Sequence, residues 1–122
     1  MPILTVEIVT RPGEHFAATL AQELAERAAE VFGSAPGGTW VKVNFIASEH
    51  YAENGAEPER AYPVFVSVLK AHRPPPEVLQ TEIAHLTLSI AQICNRPADT
   101  VHVIYSPEAA GRVAFGGKLL PG

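Results

Sequence analysis

The chain has 122 residues, 47% of them hydrophobic and 18% charged, the composition of one globular domain with a core that removes roughly two-thirds of the unfolded surface from water. A net charge of −4 with only nine scattered basic residues lacks the electrostatic stripe of a nucleic-acid binder, so nucleic acid is not an expected partner. The lone cysteine, Cys94, excludes an internal disulfide framework and a cysteine-rich zinc site, and allows a reducing compartment.

The opening segment PILTVEIVT, residues 2–10, is rich in β-branched side chains and places Leu4, Val6 and Ile8 on one face of a strand. It has no basic region followed by an apolar stretch of signal-peptide length, and nowhere does the chain run to about eighteen apolar residues. A cytoplasmic protein without a membrane partner is therefore expected. After the break at Pro12-Gly13, the spacing of Phe16, Leu20, Leu24, Ala28 and Val31 predicts a helix from Glu14 to Phe32, ended by Gly33. TWVKVNFI, residues 39–46, alternates Val41, Val43 and Phe45 with Trp40, Lys42 and Asn44, which predicts a second strand. The apolar pattern then lapses over residues 47–61, where Asn54-Gly55 and Pro58 mark a loop or irregular hairpin.

From Pro63 the pattern starts again. PVFVSVLKA reads as a strand and RPPPE from Arg73 as a helix entry. Leu79, Ile83, Leu86, Ile90 and Ile93 form a helix stripe ended by Asn95-Arg96-Pro97, and TVHVIYS, residues 100–106, is a fourth strand. GRVAFGGKLL predicts a short terminal hairpin or strand about Gly116-Gly117. The expectation is a single α+β domain, 1–122, of two β-α-β pseudo-repeats, roughly 2–61 and 63–122. Pro2 and Pro63 open equivalent strands, and Arg11-Pro12 matches Arg73-Pro74. Right-handed crossovers put both helices on one face of a four-stranded mixed sheet. The other face carries Ile3, Thr5, Glu7, Lys42, Asn44, Phe65, Ser67, His102 and Ile104, too apolar to stay wet and too polar for a private core, so subunit association is expected.

Position 2 is where proline acquires a distinctive chemistry. Initiator methionine is generally removed before a small residue, and the exposed amino-terminal proline is then a secondary amine. Burial in an apolar pocket and neighbouring cations both disfavour its protonated form, drawing its pKa toward the working pH of a general base. Pro63 is acylated by Tyr62 and has no such lone pair.

Three segments carry a resemblance: PILTVEIVTR with Pro2 after Met1, the strand TWVKVNFI with the loop EHYAENG, and TVHVIYSPEAAGRVAFGGKLL at the end. Over nearly its whole length the chain resembles the tautomerase superfamily, which includes 4-oxalocrotonate tautomerase, 5-carboxymethyl-2-hydroxymuconate isomerase and macrophage migration inhibitory factor. It looks like two short-form units fused. The resemblance implies a homotrimer, a cofactor-free site near Pro2 and a subunit boundary, and proton transfer on an enolisable oxo acid.

Carried over by residue, the resemblance makes Pro2 the proton shuttle and Arg11 the group that binds a substrate carboxylate or polarises its carbonyl; a strand-end surface arginine is the plain alternative. Where the short members carry an arginine in the second strand, this chain has Lys42, a point charge without the bidentate fork. Lys42 either steadies an enolate oxygen or is a solvated strand lysine. Phe115 and Tyr51, with Trp40, are candidates for the apolar wall. In the second repeat His102 matches Lys42 and Arg73 matches Arg11, with vestigial or structural roles favoured. The role of Arg112 is left open.

No paired histidine spacing, phosphate loop or nucleophile elbow is present, so no metal or cofactor is expected, and Cys94 lies on the buried helix stripe as a core residue. Two other readings stay open: a proline-dependent hydratase or dehalogenase of an unsaturated acid, and a trimeric binding protein whose proline is idle.

Overall fold

A computed structural model of the protein describes residues 2–55 and 62–122; Met1 and the Pro58 part of the expected loop lie outside them. The elements are β1 (Ile3–Thr10), α1 (Leu20–Phe32), β2 (Trp40–Ala47), β3 (Val64–Leu69), α2 (Pro76–Cys94), β4 (Val101–Tyr105) and a hairpin of β5 (Ala114–Phe115) and β6 (Lys118–Leu119). Alternation dictates the strands. Leu4, Val6 and Ile8 of β1 and Val64, Val66 and Val68 of β3 are buried, while the residues between them, up to Glu7 in β1, are partly exposed. The sheet runs β2-β1-β3-β4, with parallel outer pairs and an antiparallel centre.

Both helices cover one face. Leu20, Leu24 and Ala28 of α1 and Leu86, Ile90 and Cys94 of α2 close the core over the valine-rich face. Each large side chain stabilises the fold by about 1.5–3 kcal/mol on burial. Among the described residues the opposite face has no helix: Ile104, at its outer strand, is 55% exposed. This is the four-stranded α+β layer that the alternation implied.

The two halves are related by a fixed step. Gly33 and Asn95 end their helices in the left-handed conformation, at φ 67° and 56°, and the next residues, Ser34 and Arg96, donate their N–H to Ala29 and Ala91. They lie 62 positions apart, as do Thr5 and Ser67, which oppose each other in the antiparallel pair. The same step matches Arg11 with Arg73, as expected. It matches Pro2 with Val64 rather than Pro63, and Lys42 with Ile104 rather than His102. A one-residue offset would turn a strand's buried set to the other face.

The start of α1 also differs from expectation, at Leu20 rather than Glu14. A long-range contact accounts for it. Glu14 gives both carboxylate oxygens to the Arg96 guanidinium, each at 2.8 Å, and Phe16 stacks on Phe45 at 5.5 Å with Arg96 above it. Residues 14–19 follow those anchors rather than a helical path. The Arg96 side chain is 1% exposed, and it also donates to the carbonyls of Val9 (2.8 Å), Tyr62 (2.7 Å) and Cys94 (3.2 Å). One side chain thus ties the end of β1, the entry to β3 and the end of α2.

The Arg96 hydrogen bonds hold the Glu14 carboxyl down at about 2 despite its burial, from an ordinary 4.5. A depressed carboxyl contributes stability at pH above its ordinary value and loses it as pH falls toward about 2. Arg96→Leu is expected to destabilise the protein by about 3–5 kcal/mol at neutral pH, because it strips Glu14 of its main partner. It should also flatten the loss of stability on acidification. Urea denaturation at a series of pH values checks both; parallel curves for the two proteins would contradict the role of the pair.

Candidate active site

Pro2 is buried at the start of β1, where its carbonyl accepts the backbone N–H of Trp40 at 3.0 Å across the parallel pair. The Trp40 indole donates to the Gly37 carbonyl at 2.9 Å and meets Phe115 edge-on, with centroids 5.8 Å apart. Phe115 is brought there by the terminal hairpin, whose two-residue turn puts Gly116 and Gly117 at φ 58° and 84°, a conformation that favours glycine at both positions. Backbone bonds from Ala109 to Lys70 and from Ala110 to Ala71 seat the segment leading to the hairpin against the end of β3, and Gly111 donates to Leu120 within it. Beside Trp40 and Val41 opens a groove of about 1080 Å³, running along Gly33 to Gly37 and the small residues Ala25 and Ala29 of α1. Lys42 lies next along β2, opposite Thr5 on the uncovered face, and is exposed.

A charged cluster at the same end of the sheet escaped the sequence reading. Ile3 pairs with Leu69, so Lys70 follows one step along beside Pro2 in the antiparallel register. Its ammonium meets Glu82 at 3.0 Å and sits 4.9 Å above the Phe32 ring centre. The Tyr105 hydroxyl donates to the other Glu82 oxygen; burial, then that bond, push the phenol far above its ordinary pKa. In sequence Lys70 is only the polar tail of a strand, and Glu82 and Tyr105 lie on other elements.

Arg11 and Tyr51 are elsewhere. Arg11 follows the far end of β1, with Nη1 on Glu14 at 3.0 Å and its guanidinium 5.4 Å from the Tyr62 ring centre. Tyr51 leaves the turn after β2, packs at 5.8 Å on Phe65 and donates to Glu53 at 2.5 Å, a bond that pushes its hydroxyl up to about 12. Nine residue steps along a strand separate Pro2 from Arg11 by roughly 30 Å. The five candidates therefore form two groups in one chain: Pro2, Phe115 and Lys42 at one end, Arg11 and Tyr51 at the other.

The remaining candidates are structural in their contacts. His102 packs tilted against Phe65 at 5.6 Å, the Arg73 N–H donates to Glu108, and the Arg112 guanidinium donates to the Pro107 and Glu108 carbonyls. Burial pushes the Cys94 thiol up to about 11, which suits an inert core residue. Among the described residues no helix is long and apolar enough to cross a membrane.

No protein-family model and no curated protein matches the sequence. Solved structures do match the fold. A fused 4-OT, a wild type symmetric trimer, is similar with a TM-score of 0.78 at 16% identity, over 96% of this chain and 94% of that one. A protein inactivated by 2-oxo-3-pentynoate gives 0.74 at 17% identity, over 96% and 94%. Macrophage migration inhibitory factor from Oncomelania hupensis gives 0.74 at 18% identity, over 98% and 82%. The chain has the tautomerase-like fold in its fused, double-length form.

Trp40 is the only tryptophan of the chain, so it reports on the Pro2 end directly. Phe115→Ala should change its fluorescence and lower stability, with about 0.5–1.5 kcal/mol of the loss due to the edge-to-face pair. An unchanged emission spectrum would contradict the hairpin's placement over Trp40.

Proposed function

We propose that this protein is a cofactor-independent tautomerase of an enolisable oxo acid, with Pro2 as its general base after removal of Met1. The observation that carries the reading is the position of Pro2, buried at a strand end and bonded through its carbonyl to the backbone of Trp40, whose ring meets Phe115. Desolvation there lowers the pKa of a secondary amine; Lys70, opposite Pro2 in the register, is ion-paired with Glu82, so burial is the leading cause. The inactivation of a protein of this fold by 2-oxo-3-pentynoate supports a 2-oxo acid as the substrate class.

In the reaction the Pro2 nitrogen takes a proton from the carbon next to the ketone. The C–H electron pair becomes the enolate double bond, and the carbonyl electrons move onto oxygen. The proton returns from Pro2 to that oxygen, giving the enol, and the reverse path gives the ketone. Lys42 steadies the enolate oxygen, and Arg11 holds the carboxylate. Because Arg11 lies at the opposite end of β1 from Pro2, a neighbouring subunit supplies it. Trimer association through the uncovered sheet face would meet that need and cover Ile104, and the similar fused 4-OT is itself a symmetric trimer.

Phenylpyruvate enolisation by protein shown by mass to lack Met1 tests the assignment. Pro2→Ala, prepared in the same way, is expected to lose about 10²–10⁴-fold in kcat, the usual contribution of a general base. With wild type, kcat/KM should rise with pH as the proline amine loses its proton. Equal turnover by the two proteins would sink the assignment, and the same protein would then be assayed for hydration of a halogenated unsaturated acid.

A further inference from the structure

Arg11 is held from two sides. Glu14 accepts its backbone N–H at 3.0 Å and its Nη1 at 3.0 Å, while the Tyr62 ring lies under the guanidinium. The Arg11 side chain is nevertheless 41% exposed, and among the described residues its Nε and Nη2 donate to no protein group. An exposed arginine ordinarily samples many rotamers, and freezing them opposes binding. Here that freedom is already restricted in the absence of ligand.

Glu14 can do this because it is itself immobile. Its two oxygens are gripped by Arg96 in a bidentate pair, and Arg96 is fixed by carbonyls of three separate segments. A bidentate guanidinium-carboxylate pair fixes both distance and plane. Glu14 therefore presents the Oε2 that reaches Arg11 at a set position on the end of β1. Two guanidiniums share this carboxylate, so the local charge at the Arg11 side is positive and suits a second carboxylate.

We infer that Glu14 is a positioning residue which, clamped by Arg96, aims the Arg11 fork at the carboxylate of a 2-oxo acid. The inference rests on the reading of Arg11 as the carboxylate ligand. It assigns the buried pair a part in specificity as well as in the fold: an acid is preferred over its neutral ester because Arg11 arrives preorganised.

The test uses benzoylformate, a 2-oxo acid with no enolisable hydrogen, in calorimetric titrations, beside phenylpyruvate kinetics. Glu14→Asp keeps the charge facing Arg96 but draws the carboxylate back by about 1.5 Å, one carbon-carbon bond. It should weaken benzoylformate binding about tenfold, the scale of one charge-assisted hydrogen bond. KM for phenylpyruvate should rise with kcat little changed. In an Arg11→Met background the same substitution should add nothing, since its effect passes through Arg11. If the aspartate variant folds poorly, the same titration still decides, because it reads the affinity of the folded molecules separately from their number.

A merely structural Glu14 would lower the number of binding-competent molecules and leave their affinity unchanged, which overturns the inference. Proline-dependent turnover with affinity insensitive to Glu14 overturns it too and leaves the tautomerase standing. Benzoylformate binding that depends on Arg11 and Glu14, without proline-dependent turnover, upholds the inference and removes the proposed activity.

Discussion

The architecture turns on a buried arginine. Arg96 has its side chain almost wholly out of water, and removing a guanidinium from solvent is favourable only where its donors are met. Glu14 takes two of the contacts, and the carbonyls of Val9, Tyr62 and Cys94 take others. Those partners belong to both halves of the pseudo-repeat. The clamp thus fixes the far end of β1 against the start of β3 and the end of α2, and it sets the path of residues 14–19 before α1. A hydrophobic substitute could fill the volume but could not hold three separate carbonyls and a carboxylate in one plane.

From that fixed strand the division of the candidate site follows. β1 is extended and paired on both sides, so its two ends cannot approach one another. Pro2 lies at one end under the hairpin and Trp40, and Arg11 at the other beside Glu14. A chemistry needing a base and a carboxylate ligand on one small molecule requires ends from different chains. The uncovered sheet face, with Ile104 exposed and the half-buried Phe65 beside His102, provides apolar surface through which chains can associate. The pseudo-symmetry does not duplicate the base, because Val64 takes the place of Pro2 in the second half.

Local chemistry made much of the fold legible in the sequence. Valine and isoleucine alternation marked β1, β3 and β4; Gly33 and Asn95 marked the helix ends; Gly116-Gly117 marked the hairpin. Each signal acts within a few residues. What escaped was non-local. The late start of α1 depends on Glu14 meeting Arg96, 82 residues away, and Phe16 keeps helical spacing although it packs from outside the helix. The pseudo-repeat register was misread by one or two residues because matching prolines are a weaker guide than helix caps and strand parity. Lys70, Glu82 and Tyr105 carry no shared motif, and only the tertiary fold gathers them.

For the candidate site, the sequence supplied residue types but not their distances. A count of nine steps between Pro2 and Arg11 already forbids their meeting in one chain, a constraint that strand geometry imposes before any side chain is considered. The most direct test is therefore co-expression of Pro2→Ala subunits with Arg11→Met subunits, each expected to be inactive alone, followed by assay of the mixed oligomers on phenylpyruvate. Recovery of part of the wild-type turnover is predicted, since some sites then draw an intact Pro2 from one chain and an intact Arg11 from the next. Mixed oligomers as inactive as either parent would contradict a site shared between subunits.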